Sequence, residues 1–229
     1  MLPRHSRLWL TASGWAGLAA QVAAQHQPIL EQWRVADWPV VLRRQDSDSA
    51  PDQLCVGIAC PPAPPSGFKL RLALRVEAAQ IRCWQPALTL SEILPAAPCR
   101  WQAGLRTALT EATAQGLTLR VYGSMAWQVT TGLRYLRAGS DLDLWITPAN
   151  LGQLDQALRL LQRHAMELPL DGEIGFPDAA AVAWKELAQQ RHAPSARVLI
   201  KRPEHVELVR IDALLAQYTL PVSQPACPA

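Results

Sequence analysis

The chain of 229 residues is long enough for one medium-sized domain or two small ones. Apolar residues make up 49% of it and charged residues 18%, which excludes intrinsic disorder as a description of the whole chain. The formal net charge of +3 is mild: it suits a polyanionic small substrate but does not indicate a nucleic-acid partner, and no apolar run predicts a membrane span.

The cysteines and the N-terminus bear on location in the cell. The thiols are at Cys55, Cys60, Cys83, Cys99 and Cys227. No two of them form a CxxC pair, so we expect unpaired thiols in a reducing cytoplasm rather than a zinc site. Residues 1–20 are basic and then apolar, which loosely resembles a secretory signal. Because Thr11, Ser13 and Gly14 interrupt the apolar part, we expect a cytoplasmic protein without a cleaved signal.

Residues 1–95 are predicted to form a small, β-rich N-terminal domain. The expected elements are a helix over 28–33 and strands over 38–44, 54–59 and 69–76. Basic and apolar residues alternate in the last strand, which is typical of a half-buried strand with a basic outer face. A solvated face is the simpler interpretation of those charges. The alternative is a phosphate-facing surface that combines Lys69 with Arg43 and Arg44.

A proline-rich stretch over 86–98 is predicted to link this part to a second domain, residues 96–229. Helical and strand-like periodicities alternate there, which favours an α/β (α+β) fold with a mixed sheet and flanking helices. The expected helices are 101–115, 125–131, 151–165 and 211–218, and the expected strands are 117–122, 141–147, 167–176, 198–201 and 206–209. The segment 182–187 fits either a strand or the start of a helix.

The strand 141–147 carries two acidic residues, Asp141 and Asp143. Positions i and i+2 of a strand point to the same side, so the two carboxylates are expected to lie side by side. Leu142, Leu144 and Ile146 alternate with them and predict a buried opposite face. Two solvated charges on a surface strand are the simpler interpretation. The alternative is a seat for Mg²⁺, which prefers oxygen ligands and shares them with substrate phosphates.

Phosphate-binding groups are expected close to this pair. Gly123 and Ser124 follow a predicted strand and open a predicted helix, where backbone N–H groups and a hydroxyl can hold a phosphate. Arg134 and Arg137 lie in the loop before the acidic strand, where they could neutralise a triphosphate. Together these residues predict metal-assisted transfer of a phosphate-linked group.

A third carboxylate is expected on the neighbouring strand. Asp171 and Glu173 share a face by the same alternation, and either could complete a metal site with Asp141 and Asp143. Gly172 between them could instead mark a hairpin turn, which would leave both carboxylates exposed. The residues do not decide between Asp171 and Glu173.

The glycine–serine turn followed by the acidic pair resembles the signature of the nucleotidyltransferase superfamily. A longer set of stretches resembles, more narrowly, the malonate decarboxylase holo-[acyl-carrier-protein] synthases, which are phosphoribosyl-dephospho-CoA transferases. These stretches are Val121–Gln128, Thr131–Leu133, Tyr135–Leu136 and Ser140–Leu144. The segment 38–44 and the basic strand after the proline loop resemble the N-terminal domain of that family. The resemblance covers most of the chain.

The resemblance implies a definite reaction. The donor would be 2'-(5-triphosphoribosyl)-3'-dephospho-CoA, and the acceptor a serine of the apo acyl-carrier subunit of malonate decarboxylase. Pyrophosphate would leave, and a phosphodiester-linked prosthetic group would remain on the carrier. Asp141 and Asp143 match the acidic pair of the family and would hold Mg²⁺, while Gly123 and Ser124 match its phosphate turn.

Two other functions stay open at this point. The chain could be a different nucleotidyltransferase, either the related synthase that serves citrate lyase or an enzyme that moves a nucleoside monophosphate to a protein or small molecule. It could also be a non-catalytic module that binds a carrier protein. The intact pair Asp141 and Asp143 argues against the latter.

Overall fold

The computed structural model describes residues 2–218, and the α+β class expected from the sequence is confirmed. The strands of the first part are β1 (Arg7–Leu10), β2 (Val40–Leu42), β3 (Gln53–Ala59), β4 (Arg71–Glu77) and β5 (Ile81–Gln85). They pair antiparallel in the order β4-β3-β2-β1-β5, which we call the N-terminal sheet. The sequence did not predict β1 or β5, while β2 and β4 are shorter than predicted.

One face of the N-terminal sheet is covered by helices α1 (Ala12–Ala19) and α2 (Gln27–Val35). Leu8 and Leu74 of the sheet pack there against Trp15 and Leu30 of the helices. Since alternate residues of a strand point to opposite sides, the residues next to each of these leucines in its strand face the other way. That opposite face, which we call the outer face of the N-terminal sheet, is turned toward the second part of the chain.

The second part contains a mixed sheet, as predicted. Its strands are β6 (Leu88–Thr89), β7 (Arg120–Tyr122), β8 (Leu142–Ile146), β9 (Leu170–Gly175), β10 (Ala181–Ala183), β11 (Arg197–Lys201) and β12 (Val206–Arg210). They lie side by side in chain order, and we call them the C-terminal sheet. Strands β8 and β9 are parallel, and every other neighbouring pair in the described part of this sheet is antiparallel.

The helices of this part are α3 (Leu90–Ile93), α4 (Cys99–Ala114), α5 (Gly123–Thr131), α6 (Leu151–His164), α7 (Trp184–Gln190) and α8 (Ile211–Leu215). The helices predicted over 101–115, 125–131 and 151–165 are confirmed. Asn150 caps α6 by accepting a hydrogen bond from the backbone N–H of Gln153. Helix α6 connects β8 to β9 and so allows them to run parallel. The segment 182–187 contains the end of β10 and the start of α7.

The prediction of a linker over 86–98 is wrong. Strand β6 pairs with β7, and Leu88, Leu90 and Ile93 are buried in the core of the second part. The sequence did not predict these elements because they are only two to four residues long and prolines lie close to their ends. The chain passes from one sheet to the other between Gln85 and Leu88, ahead of the boundary predicted at residue 95.

The two parts are bonded to each other. Tyr135, 1% exposed, donates a hydrogen bond from its hydroxyl to the carbonyl oxygen of Ala59 in β3 over 2.7 Å. The backbone N–H of Gln45 donates to the carbonyl oxygen of Pro203. The first bond joins β3 to the loop that precedes β8, and the second joins the segment after β2 to the turn between β11 and β12.

Two expectations about location can be compared with the structure. Cys55, Cys60, Cys83 and Cys99 are free thiols, as expected, while Cys227 and the rest of residues 219–229 lie outside the described residues. Within residues 2–218, no helix combines the length and apolar character needed to cross a membrane.

Candidate active site

A tight turn joins β7 to α5 at Gly123 and Ser124. Gly123 has φ +67°, a left-handed conformation that glycine adopts readily. A Cβ at this position would overlap Oδ2 of Asp143, so the backbone approaches that carboxylate more closely than any side chain would allow. Tyr122 and Asp143 are opposite each other in the antiparallel pair of β7 and β8, which brings the turn and the acidic strand together.

The acidic pair lies at the beginning of β8. Asp141 immediately precedes the strand and is exposed, whereas Asp143 lies within it and is partly buried. Leu142 and Leu144 are buried, as the alternation predicted. Asp171 of β9 is directly opposite Asp143 in the parallel pairing. Neighbouring strands lie about 4.8 Å apart, so these two carboxylates extend from adjacent positions on one face of the sheet.

The charges around Asp143 are mostly negative. Burial, together with the neighbouring charges of Asp141 and Asp171, raises the pKa of Asp143 to about 6, against the opposing effect of the Lys69 charge. Within residues 2–218, the Asp143 carboxylate has neither a hydrogen-bond partner nor an ion-pair partner. A partly buried carboxylate in this state is stabilised by a cation.

The donor set can be compared with the needs of a divalent ion. Within residues 2–218, no three His, Cys, Asp or Glu side chains are already grouped as a metal site. Mg²⁺ commonly takes only one or two protein carboxylates and completes its shell with waters and substrate phosphates. The residues that fit such an incomplete site are Asp143 with Asp141 or Asp171.

Glu173 has a different role from the one the sequence allowed. Its carboxylate is 7% exposed and pairs with Arg4 over 3.2 Å and with Lys201 over 2.6 Å. Burial opposes ionisation, but the contact with His5 and the charges of Arg4 and Lys201 lower the pKa of Glu173 to about 2. With both oxygens engaged by cations, Glu173 anchors the N-terminal segment, and the geometry favours Asp171 as the third carboxylate.

Lys69 reaches the turn at Gly123 and Ser124 from the segment that precedes β4. Its ammonium group donates a hydrogen bond to the Ser124 hydroxyl over 2.6 Å. The same ammonium lowers the pKa of Asp143, as its charge requires. The phosphate-facing interpretation of Lys69 is therefore compatible with its position.

The two arginines predicted to act with Lys69 differ in their contacts. Arg43 donates both terminal nitrogens to the carboxylate of Asp46 over 2.6 Å and its Nε to the carbonyl oxygen of Val56. Arg44 has no side-chain hydrogen bond or ion pair to any of residues 2–218. Both line a cavity between the two parts of the chain. Arg44 is thus available to a ligand, whereas Arg43 is held by Asp46.

Arg134 and Arg137 face another part of the surface. They line an open cavity together with Arg100 and Gln128. Arg137 donates a hydrogen bond to the carbonyl oxygen of Gly67 over 3.1 Å, while Arg134 is exposed. Neither residue lines the cavity that reaches Gly123.

Comparison with known proteins shows the family of this chain. The N-terminal domain profile of phosphoribosyl-dephospho-CoA transferase MdcG matches residues 3–86, and the C-terminal domain profile matches residues 88–212. The chain belongs to this family. The resemblance drawn from Val121–Gln128 and Ser140–Leu144 is confirmed, and the chain is a member of a transferase family.

Relatives align over nearly the whole length of this family member. A phosphoribosyl-dephospho-CoA transferase of Xanthomonas campestris pv. campestris is 36% identical over 95% of this chain and 98% of its own. One of Xanthomonas axonopodis pv. citri is 39% identical, covering 93% of this chain and 97% of its own, and one of Bradyrhizobium diazoefficiens is 31% identical, covering 90% and 89%. No solved structure matches the chain.

Sequence reasoning missed several residues that shape the site. Arg4 and His5 lie in a segment without a helical or strand-like pattern, yet they contact Glu173 and Tyr122. The alternation over 69–76 predicted that Arg71 lies on a basic strand face, but it gave no sign of the cavity that Arg71 borders. Tyr135 lies within a stretch used for the family resemblance, but only the fold shows that it bonds to Ala59.

Proposed function

We propose that this protein transfers the 2'-(5-phosphoribosyl)-3'-dephospho-CoA group from its triphosphate donor to a serine of an apo acyl-carrier subunit. The carrier would be that of malonate decarboxylase, and the reaction would take place in the cytoplasm. The family name supports the transferred group, and the name MdcG points to the malonate decarboxylase partner.

The single observation that carries this proposal is the contact between the Gly123 turn and the Asp143 carboxylate. The contact supports the proposal because the backbone N–H groups of the turn, which would hold a phosphate, lie directly against a partly buried carboxylate that has no ion-pair partner among residues 2–218. A phosphoryl transfer needs both features at one place, because the charges of the reacting phosphate and of the leaving group must be stabilised together.

The residues divide the work between them. The serine hydroxyl oxygen would bond to the α-phosphorus as the bond from that phosphorus to the oxygen shared with the β-phosphate breaks. Pyrophosphate would leave, and the serine proton would be released to solvent. Asp143, with Asp141 or Asp171, would hold Mg²⁺, which neutralises phosphate charge when bound. Lys69 and the Gly123 turn would hold the α-phosphate, with Ser124 fixed in position by its hydrogen bond to Lys69.

The test is intact-mass spectrometry of the apo carrier subunit after incubation with this protein, Mg²⁺ and the triphosphoribosyl-dephospho-CoA donor. The expected result is a mass gain equal to the donor minus pyrophosphate. The Asp143→Asn variant should give no gain, and Asp48→Asn, at an exposed carboxylate that pairs with Arg75, should behave as the wild type.

Negative results would separate the alternatives. No mass gain on a carrier that a known synthase can modify would overturn the proposal. Modification of the citrate lyase carrier alone would identify the related synthase. Tight ATP binding without dephospho-CoA binding would indicate transfer of a nucleoside monophosphate, and carrier binding without turnover would indicate a non-catalytic module.

A further inference from the structure

A cavity of about 400 Å³ lies between the outer face of the N-terminal sheet and helix α5. Small side chains form its floor, at strand positions that face away from the helices α1 and α2. These are Val41, Gly57, Ala59 and Ala73. Trp127 of α5 forms part of the opposite wall. A narrow, mostly apolar space with an aromatic wall suits a flat ring or a slender chain.

Two arginine side chains without partners among residues 2–218 line this cavity. Arg44 and Arg71 both border the cavity, and neither side chain has a hydrogen bond or ion pair to any of residues 2–218. The neighbouring Arg43 differs, because Asp46 neutralises it. Two free guanidinium groups above an apolar floor are suited to phosphate oxygens, which they can bind in a bidentate manner.

The cavity is continuous with the candidate active site. Gly123 lines it, and the same glycine abuts the Asp143 carboxylate. Lys69 precedes Arg71 by two residues, the spacing at which an extended chain directs both side chains to one side. Since Lys69 contacts Ser124, the cations extend from the phosphate turn into the cavity.

Resting on the proposed function, we propose that this cavity binds the 3'-dephospho-CoA portion of the donor, a nucleoside diphosphate ester. Arg44 and Arg71 would contact its diphosphate, and Trp127 would pack against its base. The reacting triphosphate end would remain at Lys69 and the Gly123 turn. The N-terminal part of the chain would therefore determine which nucleotide ester the active site accepts.

Gly57 allows the cavity to be filled without disturbing the fold. A Cβ there would lie 3.5 Å from the carbonyl oxygen of Leu72 and 3.9 Å from Cδ of Arg43, which are ordinary contacts. A β-branched residue also suits a strand, so Gly57→Val should fold. Arg71→Ala removes one free cation from an edge strand. Arg106→Ala is the matched control, because within residues 2–218 the side chain of this exposed arginine bonds only to Gln102 of its own helix.

The experiment is calorimetric titration of the full chain with dephospho-CoA, and separately with inorganic tripolyphosphate, without divalent ions. Dephospho-CoA should bind to the wild type, and Gly57→Val and Arg71→Ala should each weaken it by about tenfold or more. Arg106→Ala should leave its affinity unchanged. Tripolyphosphate affinity should be the same in Gly57→Val and the wild type.

The proposal would be overturned if dephospho-CoA did not bind to the wild type, or if it bound to Gly57→Val with the same affinity as to the wild type. It would also be overturned if the substitutions weakened the binding of tripolyphosphate alone, because the triphosphate end would then lie in the cavity. The carrier mass assay judges the proposed function separately. Transfer without dephospho-CoA binding would overturn this inference alone. Binding that both variants weaken, without any transfer, would support this site and overturn the proposed function.

Discussion

Asp143 and Asp171 are directly opposite each other on the parallel strands β8 and β9. This register places two carboxylates on one face beside the Gly123 turn. Glu173, two residues further along β9, is withdrawn from them by Arg4 and Lys201. Asp143 and Asp171 are therefore suited to bind a cation together, whereas the ion pairs of Glu173 anchor the N-terminal segment.

Replacing Asp143 by asparagine should abolish transfer while making the metal-free protein more stable. The pKa of Asp143 is about 6, above the ordinary value of 3.8, so the folded state binds the proton more tightly than the unfolded state. Stability therefore falls as pH rises through this interval, and the variant should gain on the order of 1 kcal/mol near neutral pH. Carrier mass gain and thermal melting at about pH 7.5 measure the two effects. Wild-type transfer rates in Asp143→Asn would contradict the prediction.

Binding of divalent ions should depend on the titration of Asp143. The carboxylate must be deprotonated to act as a ligand, so affinity for Mg²⁺ should fall as pH is lowered through about 6 and level off above it. Calorimetric titration with Mg²⁺ between about pH 5 and pH 8 would measure this. A pH-independent affinity, or the same dependence in Asp143→Asn, would exclude Asp143 as the titrating ligand.

Gly123→Ala should be much more harmful than Gly132→Ala. Both glycines have a positive φ, +67° and +72°, so each substitution strains the backbone by about 1 kcal/mol. Only at Gly123 does the new Cβ overlap the Asp143 carboxylate, whereas at Gly132 it meets nothing within 4 Å. Transfer should be lost in the first variant and kept in the second. Similar activity in both, measured beside their melting temperatures, would show that the close approach is unimportant.

Lys69→Ala should reduce kcat/KM for the donor by about tenfold or more, because a charge-assisted contact to phosphate is lost. Lys69→Arg should restore part of the loss. The melting temperature should change little, because Lys69 makes its side-chain bond to Ser124 rather than to the core. Steady-state kinetics with varied donor would measure this, and a stable Lys69→Ala enzyme with unchanged kcat/KM would exclude a role in phosphate binding.

Glu173→Gln should lower the free energy of unfolding by about 2–3 kcal/mol, because it leaves Arg4 and Lys201 without their shared anion. The pKa of Glu173 is about 2 against an ordinary 4.5, so its contribution is complete above the ordinary value and is lost as pH falls toward 2. Urea unfolding should therefore give the same difference at about pH 6 and pH 8. Glu31→Gln, at an exposed pair with Arg34 on α2, is the control and should leave the free energy of unfolding nearly unchanged.

Local patterns predicted much of this molecule. The alternation around Asp143 predicted a strand with a buried face, and Gly132 marked the end of α5. Strand β1 was not predicted, because its four residues, Arg7–Leu10, are too few for a clear alternation. The short elements of 86–98 were concealed by prolines. Elements of this size are held by their neighbours in the sheet rather than by their own pattern.

The sequence by itself determined the mixed α+β class, the Gly123 turn, the acidic strand and the resemblance to the transferase family. Only the tertiary structure decided that Asp171 faces Asp143 and that Glu173 pairs with Arg4. It also decided that Arg71 borders a cavity and has no side-chain partner among residues 2–218. The physical reason is the distance along the chain over which each interaction acts. Helical and strand periodicity depend on neighbours along the chain, whereas register across a crossover helix and ion pairing between distant segments depend on how the elements pack in space.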